Sequence, residues 1–258
     1  MKKTMESKST SNDKVKDSDQ SLIRIFNMDH VVKSIKEKKP ISYLRFADGE
    51  FHAIFHFPGN NCDNHNYYPA MGDKLRETFT HLPNVKNFFV GRYDGTPHKK
   101  ERDDLMKDNN LKYNWVTNRV FSYSLLYGGV EKFIDALRNT DTKKVLVGCY
   151  KIKKVAELIG AEFVEIPAIN CYMKTDEIME KLKKIMESEQ QIIFMFSASM
   201  PGKIWMHELY KINPNNTYLD IGAMWDVVCG LRTRHYHKME GTQTQVSKIL
   251  EKYNWSPK

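Results

Sequence analysis

Short apolar runs alternate with amphipathic stretches along most of the chain. Val145-Leu146-Val147-Gly148, Gln191 to Phe196 and Tyr218 to Ile221 are continuous apolar runs of strand length, the pattern of strands covered on both faces. Phe163-Val164-Glu165-Ile166 adds a strand stopped by Pro167. Between these runs lie helical patterns: Lys151 to Ile159, closed by Gly160; Asp176 to Glu187, with Ile178, Met179, Leu182, Ile185 and Met186 on one face; and Lys203 to Tyr210. Ala223 to Cys229 reads as a last helical segment. The first half follows the same rule less regularly. A helix from Asp29 carries Val31, Val32 and Ile35 and is closed by Pro40, ahead of a strand at Ile41 to Phe46. Residues 51–57 suit one or two helical turns ended by Pro58-Gly59, and Met71 to His81 a helix. Phe88 to Gly91 is a strand, Arg92 to His98 a turn-rich loop, Trp115 to Phe121 a strand and Val130 to Arg138 a helix. Residues 1–20 are Ser, Lys and Asp with almost no apolar content, the composition of a disordered tail. The alternation predicts one α/β domain over residues 21–258, a mostly parallel sheet with helices on both faces.

Composition narrows the class. The 258 residues are 41% hydrophobic and 28% charged, ordinary for a globular protein and long enough for a full core. No apolar run reaches bilayer-spanning length, and the basic N-terminus has no apolar segment behind it, so a cytoplasmic protein is expected. Cys62, Cys149, Cys171 and Cys229 are scattered without a C-x-x-C pair, which fits reduced thiols. The net charge of +8 favours anionic partners: nucleic acid, a nucleotide diphosphate or a polyanionic acceptor. Clusters such as Lys36-Glu37-Lys38-Lys39 and Lys181-Leu182-Lys183-Lys184 also suit plain solvated helix faces.

Candidate chemistry begins at Tyr43-Leu44-Arg45-Phe46-Ala47-Asp48-Gly49-Glu50-Phe51. On extended backbone Asp48 and Glu50 point to the same side. Gly49 between them permits a sharp turn and leaves room for a ligand. Two carboxylates where a strand ends suit a hard cation, Mn²⁺ or Mg²⁺, and equally suit capping of the next helix. The turn Phe196-Ser197-Ala198-Ser199-Met200-Pro201-Gly202-Lys203 opens a helix, where backbone N–H groups can face an anion; the competing reading is a plain strand–helix turn. Asp220 ends the last strand and either reaches the same crevice or caps the following helix. Asp226, on that helix, is a candidate general base, and Asp94 is a second. Arg232 and Arg234 offer forked hydrogen bonds to a diphosphate or form a simple surface patch, and Arg45 and Arg92 lie near strand ends. His52, His56, Cys62 and His65 have zinc-ligand chemistry in an order that matches no common zinc module; the Asn-rich loop they flank better suits a place beside an active site.

Arg45-Phe46-Ala47-Asp48-Gly49-Glu50-Phe51 resembles the Arg-Phe-Gly-Asp-Gly-Glu-Phe motif of the GT-D-type glycosyltransferases, a family first catalogued as a domain of unknown function. Ala47 replaces the family's usual Gly, a mild departure. Tyr218 to Asp226 is similar to the family's late Asp-hydrophobic-Gly segment, and the likeness extends faintly into Arg232-Thr233-Arg234-His235-Tyr236. The resemblance implies a Rossmann-like fold, an Asp48-x-Glu50 metal motif and a nucleotide-sugar donor, by default UDP-glucose. Ser197, Ser199, Lys203, Asp220, Arg45, Arg232 and Arg234 would then bind the donor, and a glycan or glycoconjugate hydroxyl would accept the sugar. The competing function is a non-catalytic basic protein binding nucleic acid, for which no RNA- or DNA-binding module is found.

Overall fold

In a computed structural model, which describes residues 26–92 and 97–256, seven strands form one sheet in the order β3-β2-β1-β7-β6-β4-β5, with every pairing parallel. The strands are β1 (Ser42–Phe46), β2 (Phe88–Arg92), β3 (Asn114–Thr117), β4 (Lys143–Gly148), β5 (Glu162–Glu165), β6 (Ile192–Ser197) and β7 (Thr217–Asp220). The helices are α1 (Met28–Lys36), α2 (Asp48–Ile54), α3 (Pro69–Thr80), α4 (Lys99–Asp108), α5 (Val120–Tyr127), α6 (Val130–Asn139), α7 (Lys153–Ile159), α8 (Thr175–Met186), α9 (Pro201–Ile212), α10 (Met224–Val228) and α11 (Glu240–Lys252). Among the described residues no helix is long and apolar enough to cross a membrane.

Strand alternation splits the core into two layers. Ile193 and Met195 of β6, Leu146 of β4, Tyr43 of β1 and Leu219 of β7 join the layer under α1, α5, α6, α7, α10 and α11. Ile192, Phe194 and Phe196, with Val145, Val147, Leu44, Phe46 and Tyr218, join the layer under α2, α3, α8 and α9. Helix ends follow local chemistry. Asn27 Oδ1 accepts from the Asp29 and His30 amides at the start of α1. Pro69 and Pro201 begin α3 and α9, and Gly160 ends α7 with φ +64°.

Four features differ from the sequence expectation. The run 115–121 is a strand only to Thr117, and Val120 and Phe121 start α5. Two helices, α4 and α11, fall on stretches the apolar pattern left unassigned. Most consequential, Asp48, Gly49 and Glu50 are not extended: they form the first turn of α2. Gly49 has no unusual conformation there, and an added Cβ would meet only ordinary contacts, Asn61 at 3.6 Å and Met200 at 4.0 Å.

Candidate functional site

β1 and β7 lie side by side, yet α2 and α3 pack on one face of the sheet and α10 on the other. Connections that diverge in this way open a crevice at the strands' carboxyl ends. A cleft of about 860 Å³ occupies that place, lined by the turns after β1, β4, β5, β6 and β7 and by residues 60–65. The sequence candidates Arg45, Asp48, Glu50, Ser197, Ser199, Lys203, Asp220, Asp226 and Arg234 all line it. Arg232 does not: it is exposed, with its guanidinium 3.5 Å from Gln243 Oε1 on α11. Arg92 sits 5.4 Å from the centre of the Trp115 ring. Asp94 lies outside the described residues.

The cleft floor is a buried set of four charges. Lys203, 4% exposed, places Nζ 2.8 Å from Glu50 Oε1, 3.1 Å from Asp220 Oδ2 and 2.9 Å from the Ser199 carbonyl. Asp220 Oδ1 accepts from Arg45 at 2.8 Å and from the Gly222 amide at 3.1 Å. Burial works against both charged partners of this pair. The neighbouring carboxylates nevertheless hold the Lys203 ammonium above its ordinary value, and Arg45 and Lys203 hold Asp220 below its own. Two anions face two cations, so the floor is neutral. Arg45 also carries a buried Nε for which the described residues supply no hydrogen-bond acceptor.

The Asp-x-Glu pair behaves differently from the extended-strand expectation. At 3.6 residues per turn, positions two apart on a helix point roughly 200° apart, so Asp48 and Glu50 do not converge. Glu50, 7% exposed, has both oxygens engaged: Oε1 with Lys203, and Oε2 accepting from the Ala47 amide at 3.0 Å. The helix-capping alternative therefore describes Glu50. Asp48 is exposed and faces the cleft. Of the two acids, Asp48 is the one whose carboxylate could join phosphate oxygens around a cation, since Mg²⁺-type ions are often held by one or two carboxylates plus substrate oxygens.

Ser199 adopts φ +53°, an uncommon conformation for a residue with a Cβ. Its hydroxyl accepts from Asn61 at 2.7 Å, while Ser197 Oγ donates to the Gly222 carbonyl at 2.7 Å. The Asn-rich loop borders the cleft. Asp63 there pairs with Arg234, so that guanidinium already has an anionic partner. Asp226 accepts from the Thr233 hydroxyl, and burial raises its carboxyl above the usual range against that bond and the Arg234 charge.

The three histidines of the zinc-type set are separately engaged. His52 Nδ1 lies 2.7 Å from the Asp48 carbonyl, His56 Nε2 3.1 Å from Asp73, and His65 Nδ1 accepts from the Asn170 amide; Cys62 is an exposed free thiol. Among the described residues no group of three or more His, Cys, Asp or Glu side chains is arranged to hold a metal ion. Sequence reasoning missed Tyr67, which lines the cleft with its hydroxyl pushed up to about 12 by burial and by the Asp48 and Glu50 charges. It also missed Lys151, which lines the same cleft.

The chain is similar in fold to a solved structure described as the highly conserved domain of unknown function 1792, which has a distinct glycosyltransferase fold. The TM-score is 0.56 at 15% sequence identity, covering 86% of this chain and 92% of that one. At that identity the likeness speaks for the fold, and it is the fold that the Arg45–Phe51 resemblance implies. No family model and no curated protein matches the sequence.

Proposed function

We propose that the chain is a glycosyltransferase that moves a sugar, by default glucose from UDP-glucose, to a hydroxyl acceptor on a glycan or glycoconjugate. The observation that carries this reading is the cleft at the β1–β7 divergence, in a fold shared with a glycosyltransferase-fold domain. The donor's diphosphate would lie between Arg45, the Ser197–Lys203 turn and Arg234. Asp226, a carboxyl held above the ordinary range in the same cleft, would take the acceptor's proton. The floor quartet and the Asp63–Arg234 pair are each internally balanced, so a diphosphate enters a cleft with little surplus positive charge. That balance favours a Mn²⁺ or Mg²⁺ ion held by Asp48 and the donor's own oxygens, which would offset charge on the departing diphosphate.

Nucleic-acid binding has less support. Around α8 the ordinary exposed-helix pattern holds: Lys174, just before the helix, and Lys181 within it both pair with Glu177. The test is calorimetry with UDP-glucose and related donors, with and without Mn²⁺, followed by transfer or hydrolysis assays on wild type and Asp226→Asn. Metal-dependent donor binding is expected in both proteins. Turnover should fall by about 10²-fold or more in the variant, and the wild-type acid limb should lie above the normal carboxylate range. Failure to bind any donor, together with salt-sensitive binding of RNA or DNA, refutes the reading.

A further inference from the structure

Three turns from distant parts of the sequence meet on one ammonium group. Glu50 comes from the turn after β1, Asp220 from the end of β7 and the Ser199 carbonyl from the turn after β6. Each sends an oxygen to within 3.1 Å of Lys203 Nζ. All three ligands are oxygens and two are carboxylates, the donor set that hard cations select. The group in the middle is 4% exposed.

We propose that Lys203 is the resident cation of the Asp-x-Glu turn: its ammonium fills an oxygen cage built by Glu50, Asp220 and Ser199. Glu50 is thereby a positioning residue rather than a metal ligand. The cage itself does not depend on the transferase reading; only its consequence for the donor does. That consequence is twofold. A metal arriving with the donor finds Asp48 as its one carboxylate from the motif. The Ser199 turn, held by its carbonyl, is preset before any ligand binds. Lys203 reaches all three turns at once, so removing its charge leaves two buried carboxylates facing each other across an empty site.

The emptied cage is the test. In Lys203→Ser the two carboxylates and the carbonyl remain while the ammonium is gone. Ca²⁺ is the probe, because its oxygen ligands at about 2.3–2.6 Å lie nearest the existing spacing. Melting is followed with and without millimolar Ca²⁺ in the absence of nucleotide. Lys203→Ser is expected to melt well below wild type, or not to fold, and Ca²⁺ should raise its Tm by about 5 °C or more, or restore folding. Wild type should shift by less than about 1 °C, and Lys203→Ser combined with Glu50→Gln should lose the response. A merely structural lysine would show no cation rescue. If Ca²⁺ restores neither stability nor folding to Lys203→Ser, the proposal is overturned.

A second arm uses Mn²⁺ and UDP, read by the loss of free-Mn²⁺ electron paramagnetic resonance signal. Asp48→Asn should weaken the Mn²⁺–UDP complex about tenfold, and Glu50→Gln less than about threefold. Equal losses in the two variants, both folded, would make Glu50 a ligand and overturn the proposal. Absence of Mn²⁺ binding by wild type would count against the metal in the proposed function alone, since the Ca²⁺ arm still decides the cage.

Discussion

Gly222→Ala should damage the protein through Arg45 rather than through crowding as such. Gly222 has φ +55°, and a Cβ there would stand 2.1 Å from Arg45 Nη2 and 2.8 Å from its Cζ. Those atoms are the far end of a flexible chain, so the clash is relieved if Arg45 swings away. Swinging away breaks the 2.8 Å bond to Asp220 and leaves that buried carboxylate with Lys203 as its remaining cation. Left-handed backbone costs a residue with a Cβ about 1–2 kcal/mol, and a hydrogen bond to a charged group is worth about 1.5–3 kcal/mol. The sum is roughly 2.5–5 kcal/mol, or a Tm fall of between about 5 and 20 °C for a chain of this size. Urea unfolding of Gly222→Ala, Arg45→Ala and the double variant measures it. Because both single changes remove the same ion pair, their effects should fall short of additive by at least about 1 kcal/mol. Strict additivity, or a Gly222→Ala loss below about 0.5 kcal/mol, would refute the account.

Gly72 offers a contrasting case, where the obstacle is backbone. Its Cβ would lie 2.2 Å from the Ala53 carbonyl oxygen, so α2 and α3 must separate. Gly72→Ala should therefore lose about 1–3 kcal/mol in urea unfolding despite the better helix propensity of Ala, and a gain in stability would disprove the close approach. Stability should also fall on mild acidification. Burial, with help from Arg234, pushes the fully buried His237 down to about 4. The unfolded ring takes its proton near pH 6.5 and the folded one only near 4, so the unfolded state binds more protons in that window. The contribution is fully present above about pH 6.5 and shrinks by up to about 2 kcal/mol between pH 7 and 5. His65, His98 and His207 are shifted in the same direction. Urea midpoints at the two pH values test this, with His237→Gln expected to flatten the slope; equal midpoints in wild type would contradict it.

What the sequence made legible and what it hid separate along a physical line. β4, β6 and β7 were plain because each carries a continuous buried apolar run, Val145–Val147, Ile192–Phe196 and Tyr218–Leu219, as strands covered on both faces do. α4 was hidden because it buries only Arg102 and Leu105 among ten residues, too little to print an apolar stripe. α11 buries only Thr242, Val246 and Ile249 amid polar residues. The nine cleft-lining candidates were reachable because strand ends in an open parallel sheet converge whatever the loops contain. Their pairings were not.

Asp48 and Glu50 illustrate why. Two acids flanking a glycine read as convergent at a period of two and as divergent at 3.6. A strand–helix junction is the one place where both periods apply within a few residues. The outcome was decided by partners far away in sequence. Lys203 accepts Glu50 as a counter-ion and Asp220 as a second, and Arg45 shares Asp220. A buried glutamate without Lys203 would be an unpaired charge, which is costly enough to drive it toward protonation or solvent. The burial of Glu50 and the burial of Lys203 are therefore one event, and so is the direction in which α2 leaves β1. The same coupling leaves Asp48 as the motif's outward-facing acid.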